Sequence, residues 1–268
     1  MKIATLPMYE SPPLRAAHDR VWRHIAAQLS SRGISDVPLA LNRDSAPRQE
    51  DWVSPNLLLS QTCGYPLMYA LKEQATLVAT PAYVVQGHTS SNYCSYVMVR
   101  EDDSANELKD LRGRRVVFNG TDSQSGYSAL RHAVAPLAGG GTFFSQANAS
   151  GKHLDSMQWV RDGRADVCAV DCVTYELARR WQPASVAGLR KLCDTAWAPN
   201  LPYITAGATG EAQLVLIREA LSESLQDPRL ADDCDAMALA GIEIRPLTDY
   251  GRIVEMEEEQ QELLASLR

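Results

Sequence analysis

The stretch Arg115-Val-Val-Phe-Asn-Gly-Thr-Asp-Ser-Gln-Ser-Gly-Tyr127, continuing as Ser-Ala-Leu-Arg-His-Ala-Val134, decides how this chain is read. Arg115–Phe118 has the β-branched, apolar character of a buried strand, and Tyr127–Val134 has helical spacing. Between them, Asn119-Gly-Thr-Asp-Ser-Gln-Ser-Gly126 is made of residues that turn a chain and open a helix. A strand, a turn and a helix start aim backbone N–H groups and short hydroxyls at one point. That arrangement holds an oxyanion without a lysine or arginine. The same residues also suit an ordinary helix cap, and Ser123, Gln124 and Ser125 carry both readings.

Outward from this turn, strand and helix patterns alternate. Lys2–Leu6 and Asn56–Ser60 are predicted strands, as are Val37–Leu41 and Thr76–Tyr83. A helix over Leu14–Ser31 places Leu14, Ala17, Val21, Trp22, Ile25 and Leu29 on one face, and Leu67–Glu73 is a shorter helical stretch. The β-rich run Tyr93–Arg100 leads into a second alternating unit. There, a short helix over Asn106–Leu111 precedes the Arg115–Phe118 strand, and a helix from about Ser125 to Ala138 ends at Gly139-Gly-Gly141. A helix over Gly151–Asp162, a buried strand over Ala165–Val170 and a helix over Val173–Trp181 follow. Leu192–Ile204 leads back out, before a long helix over Glu211–Leu225 and an acidic one over Met256–Leu267, read as a solvated surface helix. The alternation predicts α/β architecture with mainly parallel sheets, and ligands are expected where two such units meet.

Composition narrows the function classes. The 268 residues suit two modest domains. A net charge of −7, with 33 acids against 26 bases and no basic stretch, argues against nucleic acid or an anionic membrane as partner. A small anionic ligand remains compatible, because a helix N-terminus acts at close range. No apolar run reaches the length of a membrane span. The segment Met1–Tyr9 is too soon polar for a secretory signal, so the chain as written reads as cytoplasmic, or as periplasmic with its leader removed. Cysteines 63, 94, 168, 172, 193 and 234 lack metal or disulfide-framework spacing and read as reduced, mostly buried thiols. No cofactor or metal site is expected. Cys172 has no base nearby in sequence, and His18, His24, His88 and His132 have no ligand spacing.

Three quoted runs carry a family resemblance: Tyr96-Val-Met-Val-Arg100 with Leu108–Phe118, the Asp122–Tyr127 turn, and Ala149-Ser-Gly-Lys-His153 with Trp159–Asp171. In that order they resemble the phosphate/phosphonate-binding proteins of ABC importers, within the type II periplasmic binding proteins. The resemblance is strongest over Tyr93–Tyr203 and weakest over the C-terminal helices. It implies two α/β sandwich lobes joined by two hinge strands, residues 1–93 plus 204–268 forming the first lobe and 94–203 the second. It implies that Ser123, Gln124 and Ser125 meet the oxyanion, with Ser150, Gly151, Lys152 and His153 as a second helix start beside it. Asp171 matches a carboxylate that meets a ligand hydroxyl or amine, while Tyr9, Gln61 and Tyr65 contact ligand from the first lobe. An ionised carboxylate only accepts hydrogen bonds, so it favours a monoprotonated phosphate, a phosphonate or an amine-bearing ligand. Asp171 also reads as a cap for Val173–Trp181. Cys63-Gly64 and Cys172 depart from the family's aromatic-rich wall. The expected function is non-catalytic capture of a small anionic ligand for an ABC permease; a cytoplasmic enzyme or sensing domain on the same scaffold is the alternative.

Overall fold

The computed structural model describes residues 2–43, 48–139 and 141–266, with the side chains of residues 48–49 and 261–266 left aside. Gly140 and Leu267, part of two of the segments above, lie outside the described residues. The chain divides into two compact units, Met1–Ser91 with Pro199–Tyr250, and Asn92–Ala198 with Gly251–Arg268.

In the first unit, helices Arg15–Ser31 and Glu211–Gln226 bury the apolar faces that their spacing predicts, including Val21, Trp22, Ile25 and Leu29 from one and Leu214, Ile217 and Leu221 from the other. Their sheet runs in the order Ile3–Ala4, Leu57–Gln61, Tyr203–Ala206, Ala75–Val85, Leu239–Glu243. Only the first of these pairings is parallel; the other three are antiparallel. The expectation of a mainly parallel sheet therefore fails here, because the returning strand Tyr203–Ala206 inserts between strands of the outgoing chain. Val37–Leu41, expected as a strand, is not one. Pro38 lacks an N–H for a ladder and its carbonyl instead accepts from Trp22 Nε1 at 3.1 Å, Leu39 is 87% exposed, and just beyond the segment Asn42 N–H bonds the Ala4 carbonyl at 2.8 Å.

The second unit is built on five strands in the order Leu189–Asp194, Ser95–Arg100, Val167–Asp171, Arg115–Phe118, Gln146–Ala149. The last three lie parallel, and the first two pair antiparallel. Val97, Val99, Leu111, Val116, Leu130, Val134, Val167 and Ala169 form its core. The strand–helix alternation puts three strand ends at one edge of this sheet, each leading into a helix: Gln124–Ser128 with Ala129–Ala138, His153–Arg161, and Cys172–Trp181. Parallel neighbours followed by helices leave their helix N-termini at the carboxyl edge of the strands.

The C-terminal helix Gly251–Ser266 departs from expectation. It belongs to the second unit, not with residues 1–93, so the chain passes between units three times, at Ser91/Asn92, Ala198/Pro199 and Tyr250/Gly251. Nor is it a purely solvated surface helix. Ile253 and Met256 are fully buried, and Gln260 donates to the Ser128 carbonyl at 3.2 Å. Arg131 pairs with Glu257 at 3.4 Å and His132 with Glu259 at 2.5 Å. Two of its acids, Glu257 and Glu259, face basic groups of helix Ala129–Ala138, so an acidic composition coexists with a buried face.

Asp166 ties the parallel ladder at its start. It accepts from the Arg115 backbone N–H at 2.9 Å and from the Arg115 guanidinium at 3.0 and 2.8 Å. These bonds hold its carboxyl down at about 2 against the opposing effect of burial. A carboxyl depressed in the folded state stabilises above its unfolded value and loses that contribution as pH falls. The expected outcome for Asp166→Asn is a loss of about 2 kcal/mol at pH 7 in urea unfolding. The difference from the parent should shrink between about pH 4 and pH 2; an equal deficit at both ends would remove the ion pair as its cause.

Candidate functional site

The site is assembled at the carboxyl edge of the second unit's sheet. After Phe118, the turn closes on Ser123, whose Oγ accepts from the Gly126 N–H at 3.0 Å. Gln124–Ser128 is a single π-helical turn rather than the start of the predicted α-helix, with Ser128 N–H reaching back to the Ser123 carbonyl at 3.0 Å. Such wide turns recur at functional sites because they re-aim a helix start. Both the capping and the anion-site readings of Ser123 were open in the sequence; the cap is present, and Ser123 Oγ lies 3.4 Å from Ser125 Oγ.

Gly126 is required by close approach. A Cβ there would stand 1.9 Å from Asn119 Oδ1 and 3.1 Å from His153 Cε1. Removing the side chain lets the Asn119 amide and the His153 ring fold in beside the turn. Asn119, quoted in the turn but not among the expected contacts, has its Oδ1 buried without a hydrogen-bond partner.

The two predicted helix starts meet. Ser125 Oγ and His153 Nε2 are 2.9 Å apart across 28 residues of sequence. The second start spends part of its donor set internally: Ser150 N–H goes to the Phe118 carbonyl at 2.8 Å and Gly151 N–H to Asn119 at 3.0 Å. Ser150 Oγ is 2.7 Å from Ser156 Oγ. Ser150 and Gly151 thus lock one turn to the other, and His153 is the side chain that reaches across. Burial pushes His153 down to about 4, with an interaction from the Ala169 backbone working against that shift, so its ring is neutral at pH 7.

Ser95 was absent from the expected set. Its Oγ donates to the Ser125 carbonyl at 2.9 Å, while its N–H bonds Thr195 Oγ1 at 2.9 Å. The register places Ser95 opposite Asp171. Asp171 caps helix Cys172–Trp181, with Oδ1 accepting from Val173 N–H at 2.7 Å and Thr174 N–H at 3.0 Å. Gln124 is buried, and its amide nitrogen lies 3.5 Å from Met256 Sδ of the C-terminal helix. Its backbone, rather than its side chain, therefore stands at the turn's opening.

The remaining expected residues belong to the first unit. Tyr9 packs edge-on against Tyr83 with ring centroids 5.0 Å apart, and both line a cavity with Gln61, Tyr203 and His18. Gln61 donates to Tyr83 Oη at 3.1 Å and to the Leu201 carbonyl at 3.0 Å. Tyr65 lies against Tyr69 with centroids 4.5 Å apart, away from that cavity's lining. Among the described residues, no cluster of His, Cys, Asp or Glu fits a metal ion, and no helix is long and apolar enough to cross a membrane.

Residues 4–261 match the family described as the periplasmic substrate-binding protein of phosphonate ABC transporters, and the chain belongs to it. The family is one of transporter binding proteins and is periplasmic. No curated protein matches the sequence. Solved structures share the fold. A binding-protein component of an ABC phosphonate transporter from Pseudomonas aeruginosa superposes with a TM-score of 0.77 at 14% identity, covering 100% of this chain and 88% of that one. PhnD1 from Prochlorococcus marinus, in complex with methylphosphonate, gives 0.75 at 15% identity over 97% and 98% of the two chains. A Xanthomonas citri protein bound to ATP gives 0.69 at 16% identity, over 93% and 95%.

A histidine neutralised by burial destabilises the fold when forced to take a proton. The unfolded chain binds that proton near 6.5, so stability should fall as pH drops from about 6.5 to about 4 and level off below. In His153→Gln, the part of this slope due to His153 should be missing from urea unfolding curves at pH 7 and 4.5. An unchanged slope would place His153 outside the buried network.

Proposed function

We propose that this chain captures a small phosphonate or related oxyanion at the turns 119–128 and 150–153 and delivers it to an ABC permease. The observation that carries this reading is the 2.9 Å contact between Ser125 Oγ and His153 Nε2, which draws two helix starts to one point. First-turn N–H groups have no acceptor inside their own helix, so such a point supplies donors to a tetrahedral oxyanion. Methylphosphonate, the ligand of the Prochlorococcus neighbour, is the size of guest proposed here.

Each expected residue then has a role. Ser125 turns its hydroxyl hydrogen to a ligand oxygen while accepting from His153, which as a neutral ring retains one donor and one acceptor. Ser123 shapes the turn, and Gln124 contributes through its backbone. Ser150 and Gly151 act by holding the second start in place. Asp171 caps helix Cys172–Trp181 through Oδ1, and its carboxylate is proposed to face a ligand amine or protonated ligand oxygen, as the family resemblance implies. Tyr9, Gln61 and Tyr65 are proposed as ligand contacts only as the family resemblance implies, and Gln61 has both amide hydrogens engaged.

The working compartment proposed is the periplasm, in keeping with the family. A catalytic reading gains nothing from the Cys172 thiol. Contact with Cys94, together with burial, pushes the Cys172 thiol up, away from the reactive thiolate.

Isothermal titration with methylphosphonate, phosphite and phosphate tests the proposal. Binding by the parent chain is expected, with Ser125→Ala weakening it by about 1–3 kcal/mol, roughly 10- to 100-fold. Gly126→Ala, which drives a methyl into Asn119, should weaken it by a similar factor at retained secondary structure. Equal affinity in Ser125→Ala would remove that hydroxyl from the site, and no binding of any phosphorus oxyanion by the parent would overturn the reading.

A further inference from the structure

Two of the six cysteines scattered along the sequence, Cys94 and Cys172, come together. Cys94 immediately precedes the strand Ser95–Arg100, and Cys172 immediately follows the strand Val167–Asp171. Those strands are antiparallel neighbours, with Ser95 opposite Asp171, so the next position along the ladder sets Cys94 opposite Cys172. The Cys172 N–H donates to the Cys94 carbonyl at 3.0 Å, which holds the two backbones at ladder spacing. Directly opposed residues of such a pair have Cα atoms about 5.5 Å apart, inside the range of about 4.4–6.8 Å that a disulfide spans. Both side chains are buried, Cys94 at 3% and Cys172 at 2% exposure.

Cys168 faces Met98 across the same ladder, Cys193 faces Val97, and Cys63 and Cys234 belong to the first unit.

We propose that Cys94 and Cys172 are a disulfide-forming pair, joined when the chain matures in an oxidising compartment. The electrons go to a small disulfide oxidant such as oxidised glutathione. One cysteine, as thiolate, attacks the oxidant and expels one thiol; the second attacks the resulting mixed disulfide at the protein sulfur and expels the other. Two protein thiols are thereby oxidised to one disulfide, and their two protons pass to the two thiols released. The bond would tie the strand that enters the second unit at Asn92 to the helix capped by Asp171. It would also brace Ser95, which carries the Ser125 carbonyl. Contact with Cys94, together with burial, pushes the Cys172 thiol up and away from the reactive thiolate in the folded, reduced protein, so pairing belongs to folding under oxidising conditions.

The test refolds the full chain in a reduced/oxidised glutathione buffer, blocks remaining thiols with N-ethylmaleimide and maps the digest by mass spectrometry. A linked pair of peptides containing Cys94 and Cys172, lighter by two hydrogens than the reduced pair, is expected. The melting temperature should exceed that of the dithiothreitol-treated protein by about 5 °C or more, a gain absent from Cys94→Ala and Cys172→Ala. Six blocked thiols after oxidative refolding, or a link that uses other cysteines, would overturn the proposal. If either variant fails to fold, the parent's peptide map decides alone. No part of this readout depends on the ligand, so it stands apart from the outcome of the phosphonate titrations.

Discussion

The parallel ladder Val167–Asp171, Arg115–Phe118, Gln146–Ala149 is the constraint on which the candidate site depends. Three strands running the same way, each followed by a helix, must deliver their helix starts to one edge. The chemistry of the turns matters only because this geometry has already brought them within reach. A hydrogen bond then fixes the convergence: Ser125 and His153 meet at 2.9 Å because Gly126 leaves room for Asn119 and the imidazole. Ser150 and Gly151 bond the same strand end, at Phe118 and Asn119, so the two turns form one backbone-linked body rather than two loops.

Behind this edge stands a second layer of fixing. Ser95 grips the Ser125 carbonyl and is gripped in turn by Thr195. The C-terminal helix closes the other side, with Met256 against Gln124 and Gln260 on the Ser128 carbonyl. A π-helical turn has looser internal bonding than an α-helix, so it needs outside partners to hold one shape. Here those partners come from the strand that enters the unit and from a helix that returns after residue 250. A site assembled from so many separate parts of the chain is complete only when the whole chain has folded.

The sequence disclosed the parts of this arrangement that are local. The Arg115–Phe118 strand, the Ser123 cap and the helix over Arg15–Ser31 lie where periodicity and turn chemistry placed them. What escaped depends on contacts between distant segments. Pro38 and an exposed Leu39 undo a strand whose composition looked adequate, and antiparallel insertion of Tyr203–Ala206 follows from chain path rather than from residue pattern. The acidic helix was misjudged because its acids are answered by Arg131 and His132, 126 and 127 residues away. Asp171 kept two readings in the sequence, and its capping bonds to Val173 and Thr174 show one of them.

Charge is the last link between this architecture and its proposed ligand. The chain carries a net −7, and the two side chains that meet at the convergence point, Ser125 and His153, are uncharged, the ring held neutral by burial, while Lys152 of the second turn is exposed. Attraction for an anion there comes from oriented dipoles rather than from a full positive charge, and a dipole acts over a shorter distance than a charge. A buried lysine or protonated histidine at the same point would add Coulombic strength, and it would also make binding strongly pH-dependent and release slow. A neutral histidine avoids both consequences. A protein that must surrender its ligand to a permease is better served by many modest hydrogen bonds that break together when the turns part from the guest than by one ion pair that must be dehydrated and then rehydrated at every cycle.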